Sequence, residues 1–244
     1  DRDPRGALKR LVSSAKFPLV SANTFLKASL VDARGNAVEV SDIGCRAKGS
    51  ASAPIDWTRA RHPEFLKPYI IKETAGVRVA LIGLDNPGTP SSTTPANVSD
   101  LCFEDILSSY VRLRTELEGK ADVFVVVMHE GNHKVSTGAS DFIEQLPRAG
   151  LVDAVVSGHT HYVTAMKVKG VPLIQSGSGG QLFGRIDLVW DLKKKALVPA
   201  KTRYFGGIPL WTEKCAVFAR SFCRETGGQA RHGHRHGDAV IVPR

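Results

Sequence analysis

Apolar positions along the chain switch between helical and extended spacing, and the switches mark its elements. Residues 7–15 (ALKRLVSSA) predict a short amphipathic helix, and residues 17–22 (FPLVSA) predict a buried strand. From about residue 24 to 68 no period is sustained, and Gly, Ser and Pro are scattered throughout. This is read as an irregular excursion carrying a small hairpin turned by Ala33-Arg34-Gly35-Asn36. Residues 77–84 (VRVALIGL) predict a strand that runs into Asp85-Asn86-Pro87-Gly88. The Thr/Ser/Pro-rich stretch to Asn97 predicts a loop without regular structure. Phe103, Ile106, Leu107, Tyr110 and Leu117 mark one face of a helix ended by Gly119. Residues 122–128 (DVFVVVM) are apolar almost throughout, as in a parallel strand covered on both faces. A shorter helix near residues 141–146 and a strand over 153–157 follow. Beyond them the texture changes: strands at 165–168, 171–175 and 185–192 are joined by Lys169-Gly170 and Gly177-Ser178-Gly179-Gly180. That spacing suits antiparallel pairing, and the glycines suit a turn. Strand–helix alternation followed by a β-rich half predicts an α/β sandwich. No internal repeat of 20–50 residues is present. Cys215, Phe218, Ala219 and Phe222 have helical spacing, and a polar tail from Gly227 carries His232-Gly233-His234-Arg235-His236.

Composition narrows the class. The 244 residues are 42% apolar and 23% charged, a globular balance that excludes collagen-like and bulk-disordered chains. No apolar run approaches the eighteen residues of a membrane-spanning helix. A net charge of +9 favours anionic partners, but aromatics make up only 7% and do not interleave with the basic residues. A specific nucleic-acid platform is therefore not expected. Four cysteines form no C-x-x-C pair, which excludes a zinc ribbon. Cys215 and Cys223, on one helix, would lie about 12 Å apart, beyond disulfide reach. All four are expected to be unpaired small residues. The first residues, Asp-Arg-Asp-Pro-Arg, show neither an initiator Met nor a signal-peptide pattern.

Two histidine features carry the candidate chemistry. Met128-His129-Glu130-Gly131 follows the most apolar strand, and Gly158-His159-Thr160-His161 follows the strand at 153–157. Ligands of open α/β sheets bind at the carboxyl ends of strands. Neutral imidazole is the commonest metal ligand, and an H-x-H pair can aim both rings at one place. Neither motif is specific alone; their joint placement at two strand ends is. Glu130 is either an acceptor behind His129 or a solvated loop carboxylate. His133 reads as a surface histidine, the HGHRH tail as a disordered polar end, Lys193-Lys194-Lys195 as a solvated turn, and Phe205, Trp211 and Phe218 as core or loop residues.

The string Phe17-Pro18-Leu19-Val20-Ser21-Ala22-Asn23 resembles the FP-x-x-SAN strand of the 5′-nucleotidase branch of the calcineurin-like metallophosphoesterases. Residues 79–84, HEG at 129–131, GHTH at 158–161 and VPLIQSGSGGQLFGRIDLVWD at 171–191 follow in that family's order. The resemblance spans roughly residues 1–192. It implies a four-layer α/β/β/α metallophosphoesterase sandwich, incomplete at its N-terminal side. It divides the chain into a partial phosphoesterase domain at 1–205 and an extension at 206–244 with a short helix and a His-rich tail. It further implies two divalent metal ions, zinc, manganese or similar, with His129 and His159 on one and His161 on the other. The family's D-x-H, GD and GNH blocks are absent, so the chain is expected to be a fragment or an N-terminally truncated product. Asp1 falls in register with the aspartate that orients the family's catalytic histidine, and Asp3 is nearly as close. The implied activity is hydrolysis of phosphate monoesters, nucleotides above all, in the periplasm, outside the cell or at its surface. A small-molecule phosphate ester is the expected partner, and the family's C-terminal nucleoside-binding domain is not seen. A non-catalytic binding subunit and a basic nucleic-acid-binding module are the alternatives.

Overall fold

The longest apolar runs become the central strands of a six-stranded sheet in the computed structural model, which describes residues 5–48, 54–132 and 138–210. In chain order the first elements are α1 (Gly6–Ser14), β1 (Thr24–Leu26), β2 (Ile43–Gly44), β3 (Tyr69–Thr74) and β4 (Val77–Leu84). Then come α2 (Thr89–Ser92), β5 (Leu101–Glu104), α3 (Ile106–Glu116), β6 (Val123–Met128) and α4 (Gly138–Gln145). The β-rich half holds β7 (Ala154–Ser157), β8 (Val163–Val168), β9 (Val171–Ser176), β10 (Leu182–Asp187), β11 (Trp190–Asp191), β12 (Ala196–Leu197) and β13 (Arg203–Pro209). Asp1, Asp3, His133, the segment with Cys215 and Cys223, Trp211, Phe218 and the HGHRH tail lie outside the described residues.

The main sheet has the order β3-β4-β6-β7-β9-β8; β4, β6, β7 and β9 run parallel, and β3 and β8 close the edges antiparallel. Alternate residues Ala80, Ile82, Leu84, Phe124, Val126 and Met128 point to one face and bury themselves under α3 and α4. There Tyr110 meets the Phe142 ring edge-on at 5.1 Å and donates its hydroxyl to Leu151 O at 2.7 Å, so its polar tip is satisfied. Asp105 starts α3 by accepting from Ser108 N at 2.9 Å, and Gly119, with φ of 73°, turns the chain after it. On the opposite face, the β10–β13 pair packs over β8 and β9. The middle strand, expected to be covered on both faces, is not: Val127 remains 43% exposed.

A second, smaller core sits beside this sheet. Strands β1, β5 and β2 form a three-stranded sheet over Phe25, Leu30 and Val40, and within it Cys45 and Cys102 form a disulfide with Cα atoms 5.2 Å apart. The expectation of unpaired thiols is thus corrected. The pairing joins residues 57 apart across an apparently patternless excursion, a relation that local spacing does not encode. The hairpin at 33–36 forms as expected, with Asp32 accepting from Arg34 N and Asn36 N and Val31 bridged to Ala37. Beside it Arg112 makes two bonds to the buried Glu104, at 2.7 and 2.6 Å, and lies 4.6 Å above the Trp57 ring. His62 stacks on Phe25, 4.5 Å between centroids, and its Nδ1 is 2.7 Å from Thr24 O; burial pushes its pKa down, and nearby Arg112 adds to the effect.

Several other expectations are revised. Residues 17–22 do not form a strand: Phe17 is 70% exposed and Val20 makes a single bridge to Lys67. Pro18 offers no ladder donor, and Asn23 instead donates to Asp85 O (2.9 Å) and Glu104 O (3.0 Å). The segment crosses β4 so closely that a Cβ on Gly83 would lie 2.0 Å from Val20 O. Phe103 belongs to β5, paired with Thr24, not to the following helix. The loop at 85–97 contains α2, entered through a Pro in its first turn. The strand expected over 185–192 is divided: β10 pairs with β13, while β11 pairs with β12 around the exposed Lys193–Lys195 turn. Phe205 lies on β13 and is 39% exposed. The glycines at 177–180 make a turn, as read, with Gly177, Gly179 and Gly180 all at positive φ.

Candidate metal centre

Strands β6 and β7 lie side by side and parallel, with Met128 opposite Ser157, so both histidine loops leave the same sheet edge. His129 begins its loop still tied to the neighbouring strand, its N–H donating to Leu84 O at 2.8 Å. His159 Nδ1 lies 3.3 Å from His129 Nε2, with ring centroids 5.0 Å apart and planes 62° apart. Both rings are exposed. His161 is exposed two residues further on, and among the described residues no hydrogen bond or ring contact joins its imidazole to the other two. Both His159 (φ 71°) and His161 (φ 59°) adopt left-handed backbone, which side-chain-bearing residues rarely do.

The donor chemistry suits a divalent ion. Two nitrogens bound at the ~2.0–2.1 Å typical of zinc, on one edge of a tetrahedron, are about 3.3 Å apart. That matches the His129–His159 separation. Among the described residues no group of three His, Cys, Asp or Glu is placed to hold one ion, so these two imidazoles would supply only part of a ligand set.

Around the pair lies a polar shell that motif reading registered only partly. Glu130 is half-buried, and it accepts from neighbouring loop groups rather than from His129: Oε2 takes a bond from Asn86 Nδ2 at 3.0 Å and Oε1 one from Gly131 N at 3.2 Å. Asp85, at the end of β4, accepts from Thr24 Oγ1 at 2.7 Å. Gly131 admits the second loop, since a Cβ there would lie 2.2 Å from Thr160 Cγ2 and Oγ1. Below the loops Asn132, Ser140, Ser157, Thr160 and Gln175 form a connected network. The sequence signal for Asp85 and Asn86 was their position directly after a strand. Gln175 gave none, because a single polar residue ending an apolar strand is common.

The six-stranded α/β sheet with two histidines at its carboxyl edge agrees with the metallophosphoesterase resemblance of the sequence. No protein-family model matches the chain. The chain is 28% identical over 142 residues to the cell wall protein Lmo0130 of Listeria monocytogenes, covering 52% of this chain and 18% of that protein. It is 25% identical over 186 residues to the trifunctional nucleotide phosphoesterase protein YfkN of Bacillus subtilis, covering 73% of this chain and 11% of YfkN. It is 25% identical over 118 residues to a 5′-nucleotidase of Vibrio cholerae, covering 46% of this chain and 21% of that enzyme. The solved structure of the calcineurin-like phosphoesterase YfkN matches with a TM-score of 0.58 at 17% identity, covering 93% of this chain and 67% of that one. These neighbours, 5′-nucleotidases and calcineurin-like phosphoesterases among them, support placing the chain in the 5′-nucleotidase branch of the metallophosphoesterases. The chain spans about a fifth or less of the length of these curated relatives.

Proposed function

We propose that this chain contributes part of the active site of a metal-dependent phosphoesterase that hydrolyses phosphate monoesters, nucleotides first among them. The observation that carries the reading is the 3.3 Å approach of His129 Nε2 to His159 Nδ1 at the carboxyl edge of parallel strands. These two nitrogens would hold a divalent ion, and His161, from the same loop, would serve a second one. Such ions polarise a phosphoryl oxygen and lower the pKa of a bound water. The chain's own groups then have distinct tasks. Glu130, held by Asn86, fixes the loop that presents His129, and the Gly131–Thr160 contact keeps the two loops in register. Asp1 would act as a positioning carboxylate for a catalytic histidine supplied by another segment. The net charge of +9 favours encounter with anionic esters.

The same reading puts the protein at the cell surface, in the periplasm or outside the cell. The Cys45–Cys102 disulfide supports this, since such bonds persist in oxidising compartments, as does similarity to a protein named for the cell wall. Among the described residues no helix is long and apolar enough to cross a membrane.

Titration calorimetry with Zn²⁺ tests the metal assignment. Saturable binding by the chain, lost in both His129→Ala and His159→Ala, is expected; binding unchanged by either substitution would overturn it. Turnover of AMP by residues 1–244 should stay near background with added metal. Robust turnover abolished by His159→Ala would show that the site is complete without further segments. Sub-micromolar nucleic-acid binding at physiological salt would favour the nucleic-acid reading instead.

A further inference from the structure

We infer that Gln175 is the positioning residue that sets the geometry of the His129–His159 pair, by tying the two histidine loops to a single buried amide. The inference deepens the proposed metal site and rests on that reading for its chemical purpose, though not for its geometry. Gln175 is the penultimate residue of β9 and is only 1% exposed. Its Oε1 accepts from Asn132 N at 3.1 Å, three residues after His129. Its Nε2 donates to Thr160 Oγ1 at 2.9 Å and to Tyr162 O at 2.9 Å. One donor hydrogen thus goes to the residue between the two histidines and the other to the residue just after them. Ser157 Oγ, also within 3.3 Å of Oε1, links the amide to the strand from which the second loop departs.

The loop needs such an anchor. His159 and His161 both occupy left-handed backbone, where the Cβ crowds the following carbonyl. A loop whose histidines are exposed would, left to itself, relax to negative φ and turn both rings elsewhere. Gln175 opposes that relaxation because its bonds to Thr160 and Tyr162 hold only while the intervening backbone keeps this path. Gly177 N adds a bond to the same Tyr162 carbonyl, at 3.1 Å. An apolar residue at 175 would leave Asn132 N and Tyr162 O without this partner beneath the loops, so the loops would move to regain hydrogen bonds.

The test compares Gln175→Leu with Leu173→Ala, a cavity substitution on the same strand whose side chain is fully buried and makes no polar contact with either loop. Two readouts are used on the metal-free chain and on its Zn²⁺ titration. The first is the nuclear Overhauser contact between carbon-bound imidazole protons of His129 and His159; the second is Zn²⁺ affinity. Gln175→Leu is expected to abolish the contact and weaken Zn²⁺ binding 10–100-fold, the usual cost of removing a group that orients ligands. Leu173→Ala should melt at a lower temperature yet keep both. Thr160→Val, a milder isosteric change, should weaken Zn²⁺ binding in the same direction and covers the case in which Gln175→Leu does not fold. The contact and the affinity surviving Gln175→Leu, or both being lost equally in Leu173→Ala, would overturn the inference. If Zn²⁺ fails to bind the wild-type chain, the metal reading falls, and the ring contact alone still decides the role of Gln175.

Discussion

Replacing both Cys45 and Cys102 by alanine removes a cross-link that closes a loop across 57 residues. Closing such a loop withdraws about 14 cal/mol/K from the unfolded chain, equivalent to about 4 kcal/mol at 25 °C. Both residues are buried, so the lost sulfur packing adds to the effect in the same direction. For a domain of this size each kcal/mol corresponds to roughly 2–4 °C, so the melting temperature should fall by about 8–16 °C. The loss should start locally, because the disulfide staples the smaller core of Phe25, Leu30 and Val40, which is separate from the large cluster under α3 and α4. Calorimetry of wild type and double variant without reductant measures the shift. Limited proteolysis should locate the first cuts of the variant within residues 24–68, and a non-reduced peptide map of the wild type should recover the Cys45 and Cys102 peptides joined. A shift under 3 °C, or unlinked peptides from material made in an oxidising compartment, would refute the reasoning and remove the main structural support for an extracytoplasmic location.

Acid should also weaken the smaller core. The folded form holds His62 below its ordinary pKa, so below about pH 6.5 the unfolded chain binds the proton more readily and stability falls. Melting temperature should therefore drop between pH 7.5 and 5.5 in the wild type, and drop less in His62→Gln. Arg112→Ala leaves the buried Glu104 carboxylate without its two-pronged partner and should cost about 3 kcal/mol in denaturant titration, the lower end of the range for such pairs because the guanidinium is partly open to water. Removing both charges with Glu104→Gln and Arg112→Gln should cost much less than the sum of the single changes. Gly131→Ala drives a methyl group into Thr160, so it should cost about 1–3 kcal/mol and weaken Zn²⁺ binding by separating the two loops.

The parts legible in the sequence were those governed by local periodicity. The strand read at 77–84 is β4 as found, and the strands at 122–128 and 153–157 differ from β6 and β7 by a residue. Each is a predominantly apolar run, and its burial under helices requires no knowledge of its neighbours. The placement of His129 and His159 at the carboxyl ends of strands was legible for the same reason, whereas the side-by-side pairing of β6 and β7 was not. What escaped were relations between distant segments. The FPLVSA run looked like a strand because its residues are apolar, yet its place against β4 is set by Asn23 reaching Asp85 and Glu104. Phe103 fits the helical period of the residues after it, but Thr24 pairs with it across nearly eighty residues, and Asp105 is where the helix begins. The disulfide and the Gln175 network belong to the same class: contacts whose meaning appears only once the fold has brought their members together.

The two kinds of order have different work at the sheet edge. Apolar packing fixes where β6 and β7 end, because Val126, Met128 and Val155 are buried under the helices and cannot slide without exposing a row of side chains. Packing stops there. His129 and His159 lie beyond the buried rows, exposed to water, and nothing hydrophobic selects which way their rings point. Direction at that boundary comes from hydrogen bonds that would be weak in solvent but are held in a largely buried floor beneath the loops. Asn132 bonds Ser140 at 2.6 Å and Gln175 at 3.1 Å, and Gln175 in turn holds Thr160 and Tyr162. A single methyl or a lost amide in this floor should therefore disturb the ring pair out of proportion to its effect on global stability. That disproportion is the signature by which a built site can be told from two histidines that happen to be neighbours.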